Sequence, residues 1–197
     1  MCRQDEKSMK EAALNILDIA QNSIRARATI IEITIDEDEE RLAFSIRDNG
    51  CGMEPGLLSE VTDPFKTTKK DRKVGLGIPL LKMEAEMTGG EFKISSVSES
   101  ASKDHGTSIY ASFLKRSIDY IPLGDIIGTV CALIQGANNI DIIFTHNIDG
   151  SQIHLSTIEM RDVTKNSPIS HPYVISWIKE YLKERYDEVF NSLKDQK

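Results

Sequence analysis

The sequence predicts an α/β fold in two parts, and three observations carry that expectation. Segments with apolar residues every three or four positions mark helices, and β-branched segments of period two mark strands. The chain has 197 residues, 40% of them hydrophobic, enough to bury a core in one or two domains. Its character changes near residue 117, at the proline-bearing stretch SIDYIPLG. The expected division is a larger α/β domain at 1–116 and a small α/β domain of unassigned role at 117–197.

The elements follow in order. Residues 8–26 read as a helix, with Ala13, Leu17, Ala20 and Ile24 as its apolar stripe and Ser8 with Glu11 as a capping box. Glu11, Asn15, Asp18 and Asn22, at steps of four, three and four, form a second, polar stripe on the same helix. TIIEITID (29–36) and RLAFSIRD (41–48) alternate around the charged turn DEDEE and predict an antiparallel hairpin. Residues 56–73 read as irregular. A helix runs from Gly75 to about Met87 and stops at TGG (88–90). EFKISSV (91–97) and GTSIYASFL (106–114) are strands joined by a serine-rich loop. Beyond 117 the chain reads as a helix (about 123–136), a hairpin turning at IDG, and a long helix with Val174, Trp177, Ile178, Tyr181, Leu182 and Val189 on one face. His146 and His154 flank that hairpin and could face each other, or be ordinary polar strand residues.

Composition narrows the function. With 24 basic against 31 acidic residues the net charge is -7, which argues against nucleic acid as a partner, since phosphate neutralisation needs clustered Lys and Arg. Cys2, Cys51 and Cys131 are odd in number and form no CxxC, so neither a zinc site nor a disulfide framework is indicated. Neither a signal peptide nor a membrane span is legible. The expected setting is the cytoplasm, with no membrane contact.

The stretch IRDNGCGMEP (46–55) is by itself ambiguous between a hairpin turn and the floor of a nucleotide pocket. Its company is more informative. Upstream lie Asp18 and Asn22, one helical turn apart; downstream, the basic stretch DPFKTTKK (63–70) runs into KVGLGIPL (73–80). Gly75 and Gly77 expose backbone N–H groups at a helix start, a site that favours anions. No Walker loop is present. Lys66, Lys69, Lys70 and Lys73 are candidate phosphate partners, one or two of which are expected to serve.

These pieces resemble, over roughly residues 8–114, the GHKL group of ATP-binding domains, which includes sensor histidine kinases, gyrase B, MutL and the heat-shock chaperone ATPases. QNSIRARAT is similar to the N-box, DNGCGM to the G1 box, DPFKTTK…VGLGI to the lid and G2 box, and HGTSIYASF to the closing strand. The resemblance implies a Bergerat-type α/β sandwich, a mixed sheet with helices on one face. It implies ATP and Mg²⁺ as cofactors. Asp48 would accept the adenine amine, with Gly50, Gly52 and Met53 shaping the loop and Thr107 sharing the adenine contact directly or through water. Lys70, Gly75, Leu76 and Gly77 would serve the phosphates, and Asn22 the metal. The sequence departs from the group at Asp18, where hydrolysing members carry Glu. Asp18 is the candidate general base, or it orients the metal's water; Glu11 and Asn15 repeat the spacing as a fallback.

Few residues precede the first helix, so the expectation is a stand-alone kinase-like ATPase rather than an autophosphorylating histidine kinase. It would hydrolyse ATP slowly or phosphorylate a protein partner. The alternative is a nucleotide-switched regulatory module with little turnover. The apolar stripe of the last helix is compatible with a homodimer.

Overall fold

The computed structural model describes residues 11–62, 76–137, 139–164 and 168–195. Its elements are α1 (Ala12–Arg25), β1 (Ile30–Glu37), β2 (Arg41–Asp48), α2 (Pro55–Val61), α3 (Gly77–Met87), β3 (Phe92–Val97), β4 (Gly106–Leu114), α4 (Ile126–Gly136), β5 (Asp141–Ile148), β6 (Ser151–Ser156), α5 (Thr157–Thr164) and α6 (Pro172–Asp195). The expected cap Ser8 lies outside the described residues. The first amides of α1 donate instead to the carbonyls of Pro122 and Leu123, at 2.9 and 2.8 Å, which satisfies groups a helix start leaves unpaired.

Period-two alternation builds the sheet. Its order is β3-β4-β2-β1-β5-β6, with all neighbours antiparallel except β1 and β5, which are parallel. The sheet is therefore mixed. Register stacks the apolar set on one face: Ile33 pairs with Ile46 and Phe144, and Ile46 pairs with Ile109. The other face carries polar side chains such as Glu32, Asp36, Arg47, Lys93 and Gln152, all exposed. On the apolar side α3 packs on β3 and β4, α1 on β2 and α6 on β6, while α1 touches α3 and α4, and α4 touches α6. These four helices thus form one layer in the order α3-α1-α4-α6. Phe44 and Phe113, both fully buried, pack with ring centroids 6.0 Å apart; truncating either to alanine costs about 3–5 kcal/mol.

The boundary expected at 116/117 is not a break in the sheet. β5 continues it beside β1 along eight paired positions, and the buried side chains of α4, β5, β6 and α6 join the same apolar cluster as those of α1. The stripe of α6 is narrower than its sequence suggests. Val174, Ile178, Leu182 and Tyr186 are buried, whereas Trp177 is 46% exposed and stacks on Tyr181 at 5.8 Å. His146 and His154 do not face each other. His146 pairs with Ile153 and His154 with Thr145, so the period of two sends the two rings to opposite faces. His146 is buried with Nδ1 2.7 Å from Tyr186 Oη, a polar tie between α6 and the sheet.

Two short helices depart from the sequence reading. α2 occupies part of the segment expected to be irregular, starting at Pro55, whose fixed φ suits a first helical position. α5 follows β6 without a loop.

Candidate functional site

Asp48 closes β2 on the apolar face of the sheet, opposite Thr107 of β4 and Ile31 of β1. It is buried, and three donors converge on its carboxylate. Ser23 Oγ, from α1, donates to Oδ2 at 2.5 Å. The amides of Gly50 and Thr107 donate to Oδ1 at 2.9 and 3.3 Å. A carboxylate offers about four acceptor positions, so Asp48 retains acceptor capacity toward the space in front of it.

The loop after Asp48 is pinned on several sides. Asn49 Oδ1 accepts the amides of Thr29 and Ile30 at 2.8 and 2.9 Å. The Cys51 amide donates to Ala26 O at 2.8 Å, and the Met53 amide to Ser96 Oγ at 2.8 Å. Ser96 Oγ in turn lies 2.9 Å from Thr107 Oγ1. Two glycines are required here. A side chain on Gly50 would sit 2.8 Å from Ala26 O, and Gly52 has φ +64° with the Val97 carbonyl where a Cβ would stand. At the loop's exit, the Ser100 and Ser98 hydroxyls hold the Glu54 carboxyl below its ordinary range.

In front of Asp48 opens a cavity of about 520 Å³, within the range of small-ligand sites. Its walls are apolar: Ile19 from α1, Ile46 and Ile109 from the sheet, Ile78 from α3, Met53 from the loop after β2 and Leu57 from α2. Its polar side chains include Asp48 and Thr107 from the sheet and Asn22, Ser23 and Arg25 from α1. Asn22 Oδ1 accepts from Arg25 Nη1 at 2.8 Å. Asp18, one turn earlier, is exposed and faces the first turn of α3: a methyl group on Gly77 would lie 3.7 Å from Asp18 Cβ.

Asn22, Asp48, Gly52, Met53 and Thr107 therefore line one cavity, with Gly50 behind it, Asp18 and Gly77 adjoining, and Leu76 exposed at the N-cap of α3. Gly75 and Lys70, like Lys66, Lys69 and Lys73, lie outside the described residues. The fallback pair is engaged elsewhere: Asn15 donates to Glu84 of α3 at 2.8 Å, and Glu11 accepts the Asp125 amide at 3.3 Å. Ser23, Arg25, Ser96 and the isoleucine walls were not singled out by the sequence reading. Ser23 had a signal: it is the polar member of the buried stripe Ile16, Ile19, Ala20, Ser23.

Residues 4–117 match the family described as histidine kinase-, DNA gyrase B- and HSP90-like ATPase. The chain belongs to this family. Among relatives, it is 36% identical over 93 residues to the signal transduction histidine-protein kinase AtoS of Escherichia coli (strain K12), covering 47% of this chain and 15% of AtoS. It is 30% identical over 98 residues to sporulation kinase C of Bacillus subtilis (strain 168), covering 49% of this chain and 22% of that kinase. The chain thus matches only a small part of these kinases' length. A crystal structure of the N-terminal domain of a DNA repair protein shares the fold, with a TM-score of 0.50 at 17% identity, covering 74% of this chain and 52% of that one. All four segments that suggested the GHKL group fall inside the matched family region.

Proposed function

We propose that the cavity binds ATP, with adenine against Asp48 and the phosphates toward Asn22, Arg25 and the start of α3. The observation that carries this reading is a buried carboxylate with spare acceptor capacity at the floor of an apolar, ring-sized cavity. An exocyclic amine is the donor that position selects, and its bond to a carboxylate is charge-assisted. Ile19, Ile46, Ile78 and Ile109 exclude water from the ring faces, and Thr107 shares the adenine edge. Arg25 supplies positive charge on the α1 side. Lys70 and Gly75, with Leu76 and Gly77, complete the phosphate end.

The family implies Mg²⁺, and the donor set suits it. Asn22 offers a hard amide oxygen on the cavity wall. A single such ligand matches an ion that keeps its waters and binds largely through phosphate. The Asn22 oxygen has two lone pairs, of which Arg25 uses one. Bound there, the ion would neutralise phosphate oxygens. Asp18 takes the proton of the attacking nucleophile, water or a partner's side chain, as the γ-phosphorus bond to the β-phosphate oxygen breaks and ADP leaves.

Titration with a non-hydrolysable ATP analogue, with and without Mg²⁺, followed by a phosphate-release assay, tests this. Asp18→Ala is expected to abolish ADP formation and keep nucleotide binding; undiminished turnover would remove Asp18 from the chemistry. A second reading, a nucleotide-switched module that docks a protein partner in the cytoplasm, is favoured by the exposed Tyr173, Trp177 and Phe190 of α6. A wild type that binds ATP yet releases no ADP and phosphorylates no partner selects that reading.

A further inference from the structure

The loop between β3 and β4 folds back over the loop that follows Asp48. The Glu99 amide donates to Cys51 O at 2.9 Å, and Arg27 pairs with Glu99 at 3.2 Å. His105, half-buried, places Nδ1 2.6 Å from Gly50 O. A carbonyl oxygen has no proton to give, so Nδ1 carries the hydrogen and donates. The peptide plane joining Gly50 to Cys51 is then held from both sides, its C=O by His105 and its N–H by Ala26 O at 2.8 Å. The preceding amide, Gly50 N–H, is the one that donates to Asp48 Oδ1. Two residues beyond His105, Thr107 N–H donates to the same oxygen.

We propose that His105 is a positioning residue for adenine recognition: its Nδ1–H bond to Gly50 fixes the loop whose amide orients the Asp48 carboxylate. His105 does not line the cavity. The inference rests on the reading of Asp48 as the acceptor of the adenine amine. Nothing in the sequence marks His105 for this role, because Gly50 is 55 positions away.

The test compares the affinities of ATP and ITP, which carries a 6-oxo group in place of the amine, for the full chain and two variants. The wild type is expected to prefer ATP. His105→Ala should lower ATP affinity about fivefold, the worth of one neutral hydrogen bond, and leave ITP unchanged. His105→Asn keeps an N–H donor near the Nδ1 position and should retain the wild-type ATP/ITP ratio. Nitrogen NMR of the wild-type imidazole should show a protonated Nδ1. An unprotonated Nδ1, an unaltered ratio in His105→Ala, or an equal loss in both variants would overturn the role of His105. A wild type that binds no ATP would instead overturn the reading of the site beneath it.

Discussion

Asp48→Asn separates the charge of this residue from its shape, and its consequences follow from the hydrogen bonds in place. The Gly50 and Thr107 amides both bond Oδ1, and an asparagine oxygen accepts them in the same way. Ser23 Oγ bonds Oδ2; against an amide NH₂ the hydroxyl rotates and accepts instead of donating. The exchange is therefore expected to cost the fold no more than about 1 kcal/mol. The ligand fares worse. The charge-assisted bond to the adenine amine, worth roughly 1.5–3 kcal/mol, is lost, and two NH₂ groups come to face each other. ATP affinity should fall about 10- to 150-fold. Calorimetric titration with the ATP analogue, beside a thermal melt, measures both effects. Unchanged affinity in a variant that melts like the wild type would refute the assignment of Asp48 to adenine.

Two further outcomes are expected. Gly52→Ala places a methyl group into the Val97 carbonyl at a φ of +64°; it should cost about 2–4 kcal/mol in a urea titration, and an unshifted midpoint would contradict the loop geometry. Glu37 is held below its ordinary value of 4.5, first by His146 and then by Lys115, against the opposing effect of burial. Lys115 Nζ lies 2.8 Å from one Glu37 oxygen and His146 Nε2 3.4 Å from the other. A lowered folded-state value means stability that is present above pH 4.5 and lost as pH falls through the folded-state value. Glu37→Gln should flatten that acid limb in denaturation curves taken between roughly pH 3 and 7, and a limb of unchanged slope would exclude Glu37 as its source.

The legible parts of the fold were those with local signals. β1 and β2 announce themselves by alternation, and the β5–β6 turn by Asp149 and Gly150, both at positive φ. α2 and α5, at seven and eight residues, are too short to show a helical period. The parallel pairing of β5 with β1 was not legible because it joins segments more than a hundred positions apart, with five strands and helices between β1 and α4, and no local pattern encodes such a pairing. The site divides in the same way. Asp48, its glycines and the Asp18–Asn22 step stand in short, patterned stretches. The bond from Ser23 to Asp48 exists because α1 lies across the end of β2, and the isoleucine walls come from four separate elements. The polar stripe of α1 was legible as a stripe but not in its division of labour: Glu11 and Asn15 tie helices together, while Asn22 reaches the cavity.

The central claim is that one cavity holds the adenine of ATP against Asp48. Backbone amide NMR during titration with a non-hydrolysable ATP analogue tests it most directly. The account predicts saturable shifts concentrated at Asn22, Asp48–Met53 and Thr107, with Gly77 responding at the phosphate end. Saturable binding that leaves the amides of Asp48, Gly50, Gly52 and Thr107 unmoved would contradict it.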